Sequence, residues 1–195
     1  MAKLYFRYGA MNSGKSTAVL QVAYNYEERG MKVLLIKPSV DTKGDDYIIS
    51  RLGARRKVDV LATPQIDLFS LLNQWNRDVE IISCVVADEA QFFTTEQVDQ
   101  LLAITVGLNI PVICYGIRTD FQTKLFTGST RLFELAHSLE ELKTICRCGK
   151  KALFNGRKID GEYVFEGSQL AIDGQHNVEY ESLCASCYAH FKALS

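Results

Sequence analysis

The chain has 195 residues, 22 Lys+Arg against 23 Asp+Glu for a formal charge of −1, and a hydrophobic fraction of 47%. That balance excludes a disordered tail, a collagen-like repeat and a globally basic nucleic-acid binder. No apolar run reaches the roughly 18 to 20 residues that span a bilayer, and Met1 to Tyr8 is too short and polar for a secretory signal, so a cytoplasmic protein with no membrane partner is expected.

Lys3 to Tyr8 reads as a short buried strand, followed by a glycine-bearing turn and a helix over about Lys15 to Arg29 that stops at Gly30. The apolar run Lys32 to Lys37, bounded by Pro38, predicts a second strand beyond a crossover helix. Ser39 to Lys57 is rich in Asp, Gly, Lys and Arg without sustained periodicity and reads as a mobile loop. Leu68, Leu71, Leu72 and Trp75 fall at helical spacing within Gln65 to Asn76, and the continuous run Ile81 to Ala87 reads as a central strand buried on both faces. Thr94 with Gln97 forms a capping-box signature for a helix through about Val106, and Pro111 to Gly116 gives another strand.

This alternation predicts an α/β fold, a parallel sheet covered by helices, over residues 1–145. From Cys146 onward the helical repeat is lost and glycines punctuate short hairpin-like segments, so residues 146–195 are expected to form a second, small domain.

Two motifs carry chemistry in the first part. Gly9, Ala10, Met11, Asn12, Ser13, Gly14, Lys15 and Ser16 satisfy G-x-x-x-x-G-K-[ST] between a strand and a helix, the context in which backbone N–H groups and a helix N-terminus cradle a phosphate chain. Lys15 is then expected at the β- and γ-phosphates of ATP, and the Ser16 hydroxyl on Mg²⁺. Asp88 and Glu89 close the strand Ile81 to Ala87; Asp88 suits the Mg²⁺ shell, and Glu89 can accept a proton from an attacking hydroxyl. No Asn-Lys-x-Asp guanine-reading motif occurs.

Six cysteines are present. Cys84 and Cys114 lie alone in apolar runs and read as packing residues. Cys146-x-Cys148 and Cys184-x-x-Cys187 read as a tetrahedral thiolate site for structural Zn²⁺, with a redox pair as the other reading. His137, His176 and His190 read as surface or packing residues.

Together GAMNSGKS, VVADEAQFF, YGIRTDFQ and the CRCG and CASC pair resemble the type II thymidine kinase family, whose members combine a P-loop body with a small zinc-bound lasso domain. The resemblance spans Leu4 to about Tyr188 and implies ATP-dependent phosphorylation of the 5′-hydroxyl of thymidine, and of deoxyuridine, in pyrimidine salvage. It implies Glu89 as general base, and Ala90 and Gln91 beside Asp88 and Glu89 in the nucleotide site. It places Met11, Phe92, Ile117, Phe121 and Phe126 around the thymine, with Phe121 stacked on the base, and Ile172 and Tyr180 of the lasso segment Gln169 to Tyr180 against base and sugar. Arg118 is the expected contact near the phosphates. The resemblance also implies a homotetramer and feedback by thymidine triphosphate.

Here the lasso carries Ile172-Asp173-Gly174 where many members have Ile-Gly-Gly, has two extra residues before Tyr180, and has Asn155 where some members have Thr. Arg51, Arg55, Arg56 and Lys57 cluster in the loop expected to be mobile and read either as a lid over a polyphosphate or as a solvated basic loop. The competing reading of the chain is a P-loop ATPase with a zinc ribbon acting on nucleic acid, which the charge and the length oppose. A non-catalytic zinc-ribbon adaptor leaves the P-loop unexplained.

Overall fold

In chain order the elements are β1 (Leu4–Gly9), α1 (Lys15–Glu27), β2 (Lys32–Pro38), β3 (Tyr47–Ile49), β4 (Arg55–Lys57), β5 (Val60–Ala62), α2 (Leu68–Asp78), β6 (Ile82–Ala87), α3 (Thr95–Gly107), β7 (Val112–Ile117), α4 (Thr127–Leu135), β8 (Ser138–Glu141), β9 (Thr144–Ile145), β10 (Lys151–Ala152), β11 (Phe154–Ile159), β12 (Glu162–Val164), β13 (Val178–Leu183) and α5 (Ala185–Leu194). The computed structural model describes residues 1–41, 45–169 and 177–194. Six strands form one parallel sheet in the order β5-β2-β6-β7-β1-β8.

Alternate residues of the central strands bury on opposite faces, because successive side chains of a strand point to opposite sides. Leu34, Ile36, Val85, Ala87, Val112 and Cys114 meet α2, α3 and α4 on one face. Val33, Leu35, Cys84, Val86, Ile113 and Tyr115 pack with Val19 and Ala23 of α1 on the other. Cys84 and Cys114 are fully buried, and burial pushes the Cys84 thiol up to about 12. Both are packing residues, as the sequence indicated.

The helix ends follow their sequence signals. Thr94 and Gln97 form the reciprocal capping box of α3, Asp67 accepts from Ser70 N–H at the start of α2, and Gly30 takes φ 71° after α1.

Ser39 to Lys57 differs from the expected loop. β3 and β4 pair as an antiparallel hairpin, docked by Ile48 and Val58 on the α1 face of the sheet and by an Arg56–Glu27 ion pair of 2.6 Å. The anchor is two buried apolar residues ten positions apart, too sparse to register as a period.

The C-terminal part builds a β9–β10 hairpin, a three-stranded antiparallel sheet ordered β12-β11-β13, and α5. Its apolar cluster is small, centred on Ala152, Phe165, Leu183 and Tyr188. Among the described residues, no helix is long and apolar enough to cross a membrane.

Candidate active site

Strand register brings the motif residues to one edge of the sheet. Gly9 lies level with Ile117, and Ala87 lies level with Cys114, so the loop after β1, the carboxylates after β6 and the turn after β7 leave the sheet side by side. Ligands of open parallel sheets bind beyond the carboxyl ends of the strands, where these segments emerge.

The loop after β1 depends on its glycines for two different reasons. A Cβ on Gly9 would fall 2.5 Å from Ser13 Oγ and 2.7 Å from the Leu142 carbonyl, whereas Gly14 takes φ 79°, a left-handed conformation that favours glycine. Asn12 also has positive φ, at 64°. Unlike α2 and α3, α1 begins without a side-chain cap or an acid in its first turn, leaving its first N–H groups and dipole available to an anion. Lys15 is buried, with Nζ donating to the Ala10 carbonyl at 3.0 Å.

Beyond β6, Asp88 is buried and Glu89 half-buried. Burial, reinforced by Glu89, pushes the Asp88 carboxyl up to about 7 against the pull of Lys15, and Asp41 raises it further. Buried Lys37 pairs with Asp41 at 2.9 Å, and Asp41 lines the cleft. Asp41 and Glu89 line the same cleft as Ser16, and a hard divalent cation, which takes oxygen ligands, fits such donors and favours the ionised carboxylates.

Glu89 adopts φ 48°, a left-handed conformation that costs a residue with a side chain on the order of 1 kcal/mol. Gln91 holds its carboxylate: Nε2 donates to Glu89 Oε2 at 2.5 Å while Oε1 accepts from Ile117 N–H at 3.1 Å. Gly116 makes room for this amide, since a Cβ there would meet Gln91 Oε1 at 2.8 Å.

A cleft of ≈ 1650 Å³ runs from the P-loop past Glu89. Its apolar wall contains Met11, Phe92, Ile117, Phe121 and Phe126, with Phe92 and Phe126 edge-to-face at 5.5 Å. Tyr180 of β13 also lines it. A flat ring would meet aromatic and aliphatic surface here, beside a fixed carboxylate and a phosphate-type loop.

The sulfurs of Cys146, Cys148, Cys184 and Cys187 lie within 4.8 Å of one another and none is in a disulfide. The Cys187 N–H, donating to Cys184 Sγ at 3.4 Å, is the main cause that draws the Cys184 thiol down to about 7, while sharing hydrogen bonds with the other three sulfurs pushes Cys187 up to about 12. Four thiols this close cannot all ionise unaided. A divalent, thiophilic cation fits the set, because it lets every sulfur become a thiolate.

A thymidine kinase family model matches residues 2–188. The chain belongs to the thymidine kinase family. It is 48% identical to a thymidine kinase of Legionella pneumophila (strain Paris) over 195 residues, covering 98% of this chain and 90% of that protein. It is 46% identical to the thymidine kinase of Enterobacteria phage T4, covering 94% of each, and 46% identical to that of Shewanella oneidensis, covering 98% of each. Membership of this kinase family implies the use of ATP with a divalent metal.

Against this thymidine kinase background, most residues singled out from the sequence meet at the cleft, but not all. Gly9, Ala10, Asp88, Ala90 and Arg118 do not line it. Of the basic cluster, Arg56 pairs with Glu27, Lys57 with Asp46 at 2.8 Å, and Arg55 lies over the Tyr47 ring, while Arg51 lines the cleft. Ile172 and His176 lie outside the described residues. His137 Nδ1 accepts from Leu4 N–H, and His190 is an exposed residue beside Phe191.

The structure adds contacts that sequence reasoning missed. Asn155 Oδ1 accepts from Met11 N–H at 2.7 Å and its Nδ2 donates to the Thr119 carbonyl at 2.8 Å. Ser182 Oγ donates to the Met11 carbonyl, so the N–H and the carbonyl of one P-loop residue are both held by the small C-terminal sheet. Asp120 accepts from Gln122 and Lys124 N–H groups and from Gln169 Nε2, which fixes the turn carrying Phe121. No periodicity announces such contacts; those of Asn155, Ser182 and Gln169 join segments more than 30 residues apart.

Proposed function

We propose that this chain transfers the γ-phosphoryl group of ATP to the 5′-hydroxyl of thymidine, with deoxyuridine as a second acceptor. The observation that carries the reading is Glu89, clamped by Gln91 between the P-loop and an apolar, aromatic wall. In this reading Gly9 to Ser16 and Asp88 to Gln91 form the donor site, and Met11, Phe92, Ile117, Phe121, Phe126, Ile172 and Tyr180 form the acceptor site.

Glu89 accepts the proton of the 5′-hydroxyl. Because phosphoryl transfer has a loose transition state, the carboxylate acts mainly by orienting that hydroxyl, while Lys15 and the loop amides stabilise charge on the phosphates. Mg²⁺, held by Ser16 and Asp88, supplies further charge neutralisation when bound. Residues 1–145 carry the chemistry, and residues 146–195, stapled by Zn²⁺ on Cys146, Cys148, Cys184 and Cys187, close over the acceptor. A homotetramer, feedback by thymidine triphosphate, a cytoplasmic location and the absence of nucleic-acid or membrane partners belong to the same proposal.

The test is ADP production from Mg·ATP with thymidine, deoxyuridine, deoxycytidine, single-stranded DNA or no acceptor. Thymidine-dependent turnover is expected, and Glu89→Gln should lower kcat by about 10²- to 10⁴-fold with ATP affinity retained. Turnover that needs nucleic acid, or that persists in the variant, overturns the assignment.

A further inference from the structure

Phe121 is held by two contacts that the phosphoryl-transfer chemistry does not use. Arg157 of β11 is only 4% exposed, and its guanidinium carbon lies 3.6 Å from the Phe121 ring centroid, which occupies one face of the ring. Phe121 lines the cleft and Arg157 does not, so the guanidinium sits behind the ring. Its Nη1 donates to the Ser168 carbonyl and its Nη2 to the Glu166 carbonyl, each at 2.8 Å, while Nε has no hydrogen-bond partner among the described residues. Among the described residues, no carboxylate pairs with this buried cation.

From the other side, Tyr188 Oη donates to the Phe121 carbonyl at 2.6 Å. Tyr188 directly follows Cys187 on α5, so the cysteine cluster and the helix are linked to the Phe121 main chain through one hydroxyl.

A buried cation without a counter-charge is a poor way to fill space; an apolar side chain of similar volume serves a purely structural position as well or better. The planar guanidinium has two uses that such a residue lacks. It attracts the π-cloud of the ring it covers, which favours stacking of an electron-rich, carbonyl-bearing heterocycle on the opposite face. Its fork also fixes two backbone carbonyls relative to that ring. A ring immobilised beforehand loses little rotamer freedom when a base stacks on it.

We propose that Arg157 and Tyr188 are positioning residues for the acceptor base: they lock Phe121 as a stacking platform and set the segment Glu166 to Ser168, which follows β12, in place beside it. Affinity for the pyrimidine nucleoside therefore depends on them, and affinity for the phosphate donor does not. This inference rests on the acceptor reading of the cleft.

The test compares Arg157→Met, Arg157→Lys and Tyr188→Phe in the full-length, metal-loaded protein. Arg157→Met should raise KM for thymidine by about 10- to 30-fold with KM for ATP within about twofold. Arg157→Lys, which keeps the charge but loses the planar fork, should restore only part of that loss. Tyr188→Phe should raise the thymidine KM by about fivefold. An unchanged thymidine KM in all three variants, equal rises in both KM values, or a fall in kcat alone overturns the inference. If Arg157→Met fails to fold, the other two decide it by the same split. A wild-type protein without thymidine-dependent turnover defeats the acceptor reading before any variant is compared, so the two failures are distinguishable.

Discussion

The parallel sheet and the small C-terminal sheet are stabilised by different physics. In the first, β2, β6 and β7 are buried on both faces, and two apolar layers hold the sheet against its helices. In the second, the apolar cluster is a handful of residues, supplemented by ring stacking such as Tyr163 on Phe191 at 4.2 Å and by the cysteine quartet. A unit of about 50 residues buries too little surface to be stable by itself, so it needs a metal or docking against a larger body. Here the docking contacts are polar and directed at the site: Asn155 and Ser182 on the P-loop, Arg157 and Tyr188 on Phe121. The body gives a rigid edge for the loop after β1, and the bonds of the small sheet to that edge also shape the cleft.

The largest effect that could break this contrast is metal removal. A structural tetrathiolate site contributes on the order of 10 kcal/mol to folding. Treatment with a strong chelator should therefore abolish hydrogen-exchange protection in β11 and β13 while β2, β6 and β7 stay protected. Retained protection in the small sheet would mean that its few apolar and polar contacts suffice.

An intermediate effect is expected at the junction. Asn155→Ala leaves the Met11 N–H and the Thr119 carbonyl without their partner and should cost about 1 to 3 kcal/mol in a urea melt. ATP affinity should fall with it, because Met11 belongs to the P-loop; a melt shift without a change in ATP titration would separate the junction's structural task from its functional one.

The smallest effect lies inside the small sheet. Glu181 accepts from Lys158 Nζ and Tyr163 Oη, each at 2.7 Å, and pairs with Arg147 at 3.3 Å. Partial burial opposes ionisation, but these partners outweigh it and hold the carboxyl below its ordinary value. A depressed folded-state value means that the stabilisation is present above the unfolded value of about 4.3 and is lost as pH falls through the folded one. Wild type should exceed Glu181→Gln by about 1 kcal/mol at pH 7 and converge with it near pH 3. A gap independent of pH would assign the loss to packing.

Legibility divides along the same line. The strands around Val33, Val85 and Ile113 and the cap at Thr94 were readable because burial on two faces and capping leave local, periodic marks. The P-loop, Asp88-Glu89 and the four cysteines were readable because their chemistry fixes their spacing. The β3–β4 hairpin was not, since its docking rests on Ile48, Val58 and one ion pair to a helix some 30 residues earlier. Nor was the task of Gln91, which grips Glu89 only because Gly116 of a different strand leaves space for its amide.

The sequence by itself determined the chain's alternating α/β body, its phosphate loop, its paired carboxylates and its thiol quartet, because each is encoded by residues close together along the chain. Only the tertiary structure decided that Asn155 and Ser182 clasp Met11, that Gln91 aims Glu89, and that Arg157 and Tyr188 hold Phe121. Apart from the grip of Gln91 on Glu89, which the turn after β6 and Gly116 set, these are single contacts between distant segments, made when the small sheet docks on the edge of the large one, and a buried polar group does not reveal its partner until both have left water.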